Sequence, residues 1–291
     1  MRKKTNILLL ILILACIAVF LGYRAWDAIR TDTQPPEIAL SIVTPELSVG
    51  DAKEVLLQGI SATDKQDGNV TDSLVIENIR LLDNSGRLSV SYAAFDKCGN
   101  VAKAQQEARF TDYIAPRFTL NAPLLYRSGT SFDILSNIGA TDLFDGDLQH
   151  RIRATSMDDT SISTPGTHDV QFQVTNSLGD TATIVLPVEV YDPLPYPASV
   201  TLNAYLVYLK AGDTFNAADY LNTFTLSGKT TKLNGRLPSD FSLQTAGDVQ
   251  VNIPGVYTIQ YLVTYKEKSM SNSLADRTYT GYSKLVVIVE G

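Results

Sequence analysis

Four carboxylates stand where they could gather around a cation. Asp64, Asp67 and Asp72 crowd one short stretch, and Asp96 follows in a later turn, Asp96-Lys97-Cys98-Gly99-Asn100. Ca²⁺ takes roughly six to eight oxygen ligands, and an aspartate-dense loop can supply several of them. The spacing is not that of a helix–loop–helix calcium loop. The same residues also read as a turn, in which Asp64 and Asp67 accept from backbone N–H groups two residues on and Gly68 supplies a positive φ. Both readings stay open on sequence, and Ca²⁺ is the only cofactor considered.

The other reactive residues are isolated. His150 and His168 are the two histidines, and neither has the nitrogen or sulfur neighbours that a transition-metal site needs. Cys98 has no partner cysteine in the same part of the chain, because Cys16 lies in an apolar segment. No Gly-x-Ser-x-Gly, Ser-x-x-Lys, His-Glu-x-x-His or phosphate-loop pattern occurs. No catalytic residue is therefore assigned, and the expectation is a non-enzyme. Tyrosines concentrate in the last third. Tyr257, Tyr261 and Tyr265 alternate as a sheet face or core would, whereas Tyr205, Tyr208, Tyr279 and Tyr282 are candidate partner-binding residues, since a flat ring with a polar tip suits glycan or protein surfaces.

These residues sit in a repeated frame. Ala62-Thr63-Asp64-Lys65-Gln66-Asp67-Gly68-Asn69-Val70 returns as Ala140-Thr141-Asp142-Leu143-Phe144-Asp145-Gly146-Asp147-Leu148, 78 residues on (140 − 62). Pro36 maps to Pro116, Gly86 to Gly166 and Gly99 to Gly179, each at an offset of 80 (for example, 116 − 36). The last third keeps a Gly212-Asp213 turn and a Pro254-Gly255 strand entry but lacks the Asp-x-x-Asp-Gly motif. Alternation at period two predicts half-buried strands through Leu88, Val90, Tyr92 and Ala94 and through Val170, Phe172 and Val174. A strand is also expected over 38–43. Pro187 falls inside another, which predicts a sheet edge or a bulge there. Residues 216–221 could make one helical turn, and an insert is expected over 266–279.

The N-terminus addresses the chain to a membrane. Residues 7–23 carry no charge over 17 positions (23 − 7 + 1), behind Arg2, Lys3 and Lys4. That length is at the short end of the ~17–25 residues needed to span hydrocarbon. The basic residues place residues 1–6 in the cytoplasm and the rest outside. A cleaved signal peptide is the rival reading, although nothing after Gly22 resembles its cleavage site. Ile13-Leu14-Ala15-Cys16 loosely matches a lipoprotein signal, but the apolar run continues past the cysteine. The net charge of −7, without a basic cluster beyond the N-terminus, argues against nucleic acid as a partner.

Short strands with turns every ~8–12 residues predict an all-β protein of three tandem immunoglobulin-like sandwiches behind one transmembrane helix. The expected layout is a cytoplasmic N-terminus at 1–6, an anchor at 7–23, a linker at 24–34, and domains at 35–113, 114–192 and 193–291, the third divergent. The first two resemble the bacterial immunoglobulin-like domains found in tandem on Firmicute surface proteins and in some insecticidal crystal proteins. Pro36, Ile38, Ala62, Thr63, Asp64, Asp67, Gly68 and Asn69 carry that resemblance, followed by Gly86, Val90, Tyr92, Ala94, Asp96, Gly99 and Asn100. The second copy departs from it with Phe172, Asn176 and Asp180. The resemblance implies a surface protein and says little about its ligand. The expected function is a stalk that presents the distal domain to a protein or to cell-wall glycan. An accessory subunit of an envelope complex is the alternative.

Overall fold

A computed structural model describes residues 2–30, 32–51, 53–83, 85–156, 162–192, 196–268 and 276–291, with helix side chains described at 11–24 and at Trp26. The protein is mostly β, in several sheets, with one α-helix among the described residues. It forms two compact units, Met1–Tyr113 and Ile114–Gly291.

The first unit opens with the helix Arg2–Arg30, built on the proline-free apolar run. Its described apolar side chains stand exposed, Val19 and Phe20 among them. Among the described residues no helix is long and apolar enough to cross a membrane. Residues 7–10 of the expected span lie outside the described side chains.

Two sheets follow. Ser61–Asp64 sits between Glu37–Ala39 and Gly68–Asn69 in a three-stranded antiparallel sheet. The other runs Glu46–Leu47, Val101–Phe110, Arg87–Phe95, Val75–Leu81, with its first pair parallel. Ala62, Leu88, Val90, Tyr92 and Ala94 are buried, and Tyr92 donates its hydroxyl to the Leu56 carbonyl at 2.8 Å. Burying Leu88 and Val90 stabilises by about 1.5–3 kcal/mol each.

Two expectations need correction here. Residues 87–95 are not half-buried, because Ser89 and Ala93 are buried as well. The strand is central to its sheet, and Ser89 bonds the Gln105 amide of its neighbour. The strand expected over 38–43 ends at Ala39, since the Ser41 and Val43 carbonyls accept from Gln106 Nε2 rather than from a ladder.

In the second unit Gly146–Asp147, Ile138–Asp142 and Arg117–Leu120 form a three-stranded sheet. It faces Arg153–Ser156, Gly166–Thr175, Thr181–Tyr191 and Leu125–Arg127. Phe118, Ile138 and Ala140 from one sheet pack with Val170, Phe172, Leu186 and Val188 from the other in one buried cluster. At Pro187 the register runs straight through against Asp169, with no bulge. In a strand a residue's nitrogen and carbonyl point the same way. The Pro187 carbonyl accepts from Lys284 Nζ at 3.1 Å, on the side where no strand pairs, so the missing N–H costs no ladder bond.

The rest of this unit is one seven-stranded sheet rather than two sheets, with six strands on a continuous path and Leu206–Lys210 paired off it. The long strand Arg277–Glu290 pairs in succession with Ala198–Leu202 and Leu206–Lys210, and along its other side with Gly255–Glu267. Gly281 permits the first contact, because a Cβ there would meet Val200 Cγ2 at 2.7 Å. The expected helical turn is the 3-10 helix Ala217–Tyr220, capped by the Asn216 side chain. The insert expected over 266–279 is shorter, because strands reach Glu267 and resume at Arg277, and 269–275 lies outside the described residues.

Candidate functional site

The Asp-x-x-Asp-Gly turn is built the same way in both copies. Asp64 Oδ1 accepts from Gln66 N at 2.7 Å and Asp67 N at 2.9 Å, and Asp142 Oδ1 accepts from Phe144 N at 3.1 Å and Asp145 N at 2.6 Å. Gly68 and Gly146 close the turns at φ 74° and 73°, a region a side chain would strain. The second aspartate ties this turn to a later one. Asp67 accepts from Lys97 N at 2.8 Å and Nζ at 3.1 Å; Asp145 accepts from Ser177 N and Oγ, both at 2.6 Å, and from Arg151 at 3.1 Å. Hydrogen bonds from Lys97 hold the Asp67 carboxyl below its usual range. Burial pushes the Asp145 carboxyl up, but the Ser177 bonds and Arg151 outweigh it and the net shift is downward.

The copies part at the other oxygen of the first aspartate. Asp142 Oδ2 accepts from Asn176 Nδ2 at 2.8 Å. Asp64 Oδ2 is buried with no hydrogen-bond partner, and Asp32 Oδ2 is in the same condition. Asp32, Asp64 and Asp96 are 5%, 7% and 8% exposed, and each offers a carboxylate oxygen within 4.8 Å of the other two. Two ionised carboxylates that close repel by on the order of 3–4 kcal/mol even at an effective dielectric of about 20. Asp32 Oδ1 accepts from Gln34 N at 2.9 Å. Asn100 grips Asp96 through N and Nδ2 and donates from Nδ2 to the Asp32 carbonyl at 3.0 Å. Among the described residues no ion pair reaches any of the three aspartates.

Of the four aspartates expected around a cation, the structure groups Asp64 and Asp96. Asp67 is engaged with Lys97, and Asp72 is exposed in the 3-10 helix Thr71–Ser73. Asp32, assigned to the linker on sequence, is the third member. A signal for it exists, because Thr31-Asp32 recurs as Thr111-Asp112, 80 residues on (112 − 32). Asp112 closes the turn at Ser48, and Asp192 closes the equivalent turn at Ser128. Asp32 precedes the first repeat and has no such turn to close.

The four tyrosines fall in two settings. Tyr205, Tyr208 and Tyr282 are joints inside the second unit rather than a free face. Tyr205 packs against both buried clusters of the unit. The Tyr208 hydroxyl accepts from Phe118 N at 2.9 Å and donates to Phe118 O at 3.3 Å, under the Arg117 guanidinium, which also binds Glu290. Tyr282 donates to Glu189 at 3.1 Å beside Lys284, whose burial lowers its pKa. Leu206 and Val286 join the same buried cluster as Phe118.

Tyr279 lines a cleft of ≈ 430 Å³ with Phe224, Phe241 and Tyr265. Phe241 lies 5.0 Å from Tyr265, and Tyr265 stacks on Tyr279 at 6.4 Å, so three half-buried rings form its wall. Lys229, Asp240 and Glu267 stand at the rim, and Tyr279 donates to Glu267 at 3.1 Å. A two-residue turn with positive φ at both Ser227 and Gly228 delivers Lys229. Sequence alternation had placed Tyr265 in a core or sheet face, and nothing local joins Phe241 or Asp240 to it.

No protein-family model matches the chain. A 96-residue stretch is 38% identical to an uncharacterized 81.3 kDa protein of Acholeplasma phage L2, covering 33% of this chain and 13% of the phage protein. Among solved structures, the CBM51-2 and INT domains of Clostridium perfringens ZmpB align over 88% of this chain and 42% of that one, at 15% identity and TM-score 0.22. The protocadherin gamma B4 extracellular domain aligns over 88% and 50%, at 12% and 0.20. The human desmocollin-1 ectodomain aligns over 91% and 56%, at 14% and 0.18. The chain thus spans about half the length of these structures and 13% of the phage protein. Likeness at these scores carries no argument about chemistry.

Proposed function

We propose that the chain is a non-catalytic binding protein of the bacterial cell surface. Residues 7–23 anchor it, three tandem immunoglobulin-like domains follow at 35–113, 114–192 and 193–291, and the third holds the aromatic cleft. The cleft is the observation that supports this reading. Sugar rings present apolar C–H faces edged by hydroxyls. Phe241, Tyr265 and Tyr279 offer ring surface, and Lys229, Asp240 and Glu267 offer donors and acceptors beside it. Cell-wall glycan is therefore the favoured ligand. The anchor reading draws on the charge-free run and on the exposed apolar side chains of the helix, which need a covering that water does not provide.

Retention of the detergent-solubilised full chain on purified cell-wall polysaccharide tests the proposal. An aromatic contact is worth about 0.5–1.5 kcal/mol beyond its buried area, so Tyr279→Ala is expected to weaken retention roughly 10-fold. Retention that Tyr279→Ala leaves unchanged would remove the cleft from the account. No retention at all, with capture by envelope membrane extracts instead, would favour the accessory-subunit alternative.

A further inference from the structure

We infer that the first unit carries a calcium site formed by Asp32, Asp64 and Asp96. Three carboxylates, all more than nine-tenths buried, converge within 4.8 Å. Two of them point an oxygen into buried space where no donor meets it: Asp32 Oδ2 and Asp64 Oδ2. A buried ionised oxygen without a partner is strongly unfavourable unless a cation completes it.

The second copy shows what the same position does when no cation is needed, with Asn176 Nδ2 donating to Asp142 Oδ2. At the equivalent position the first copy has Asp96, which cannot donate when ionised. An all-oxygen set selects a hard ion over zinc or copper. Three buried protein carboxylates suit Ca²⁺, which takes most of its ligands from protein oxygens in flexible geometry, better than Mg²⁺, which sheds water reluctantly and keeps several waters.

The site joins segments far apart in sequence. Asp32 lies just after the helix, Asp64 on a strand of the three-stranded sheet, and Asp96 at the end of the central strand Arg87–Phe95 of the other sheet. Bound calcium therefore clamps the segment that follows the helix onto the first sandwich. The hydrogen bond from Asn100 to the Asp32 carbonyl already holds that segment in place for ion entry.

The test is thermal unfolding of the full chain in detergent with CaCl₂, with MgCl₂ and with chelator, beside calcium binding by equilibrium dialysis. Calcium at about a hundredfold excess over Kd should raise the Tm of the first unit by roughly 10 °C or more. Asp96→Asn removes one of the three carboxylates and should abolish the calcium response. Wild-type protein that binds no calcium by dialysis overturns the proposal whatever the variant does. An undiminished calcium response in Asp96→Asn, or an equal response to magnesium, overturns it as well.

Discussion

In the first repeat Asp64, grouped with the buried carboxylates of Asp32 and Asp96, keeps its Oδ2 buried without a partner, whereas in the second the equivalent oxygen of Asp142 accepts from an amide at 2.8 Å. The local turn is otherwise the same, down to the positive φ of Gly68 and Gly146. The difference comes from an exchange of carboxylate and amide, since Asp96 and Asn100 stand where the second repeat has Asn176 and Asp180. It separates two tasks that the motif performs together. Its backbone hydrogen bonds fold the chain, and the leftover oxygen is free to be satisfied either by the protein or by an ion.

Placing the first repeat's carboxylate in the second tests this comparison most severely. Asn176→Asp keeps the acceptor used by Leu178 N and Asp180 N but replaces the donor to Asp142 with a second buried carboxylate. The expected cost is about 2–4 kcal/mol in urea unfolding of the second unit. A cost under about 0.5 kcal/mol would show that the amide contact does not hold the turn.

The second aspartate of the motif should show a smaller contrast. Asp145 takes three hydrogen bonds and is mostly buried, so Asp145→Ala should cost about 1–2 kcal/mol. Asp67→Ala, which loses bonds to Lys97 alone, should cost less. The smallest effect is on acid stability. The folded-state pKa of Asp145 lies below its unfolded value, so the stability it contributes is complete above the ordinary carboxylate pKa and is lost as pH falls through the lowered one. Asp145→Asn should flatten the acid limb of the second unit's stability curve. An unchanged limb would remove Asp145 as its source.

What could be read from sequence was local. The Asx turns at Asp64 and Asp142 span two and three residues, and the Gly68 and Gly146 positions follow from chain geometry. Alternation located the strand around Leu88 but missed the burial of Ser89 and Ala93, because periodicity does not show how many strands flank a segment. Asp32 was missed because Asn100 holds it from 68 residues away. Tyr208 and Tyr282 looked like a binding face because nothing in their spacing shows that Phe118 and Glu189, about 90 residues earlier, would take their hydroxyls. The cleft combines residues 224 to 279, whose proximity exists only once the long strands pair.

Amide hydrogen exchange on the full chain, in calcium and in chelator, compares the two repeats in one measurement. Calcium should slow exchange at Gln34, Gln66, Asp67 and Asn100, whose N–H groups bind the three aspartates, and leave Phe144, Asp145, Leu178 and Asp180 unchanged. Equal protection in both repeats, or no change in either, would contradict the account.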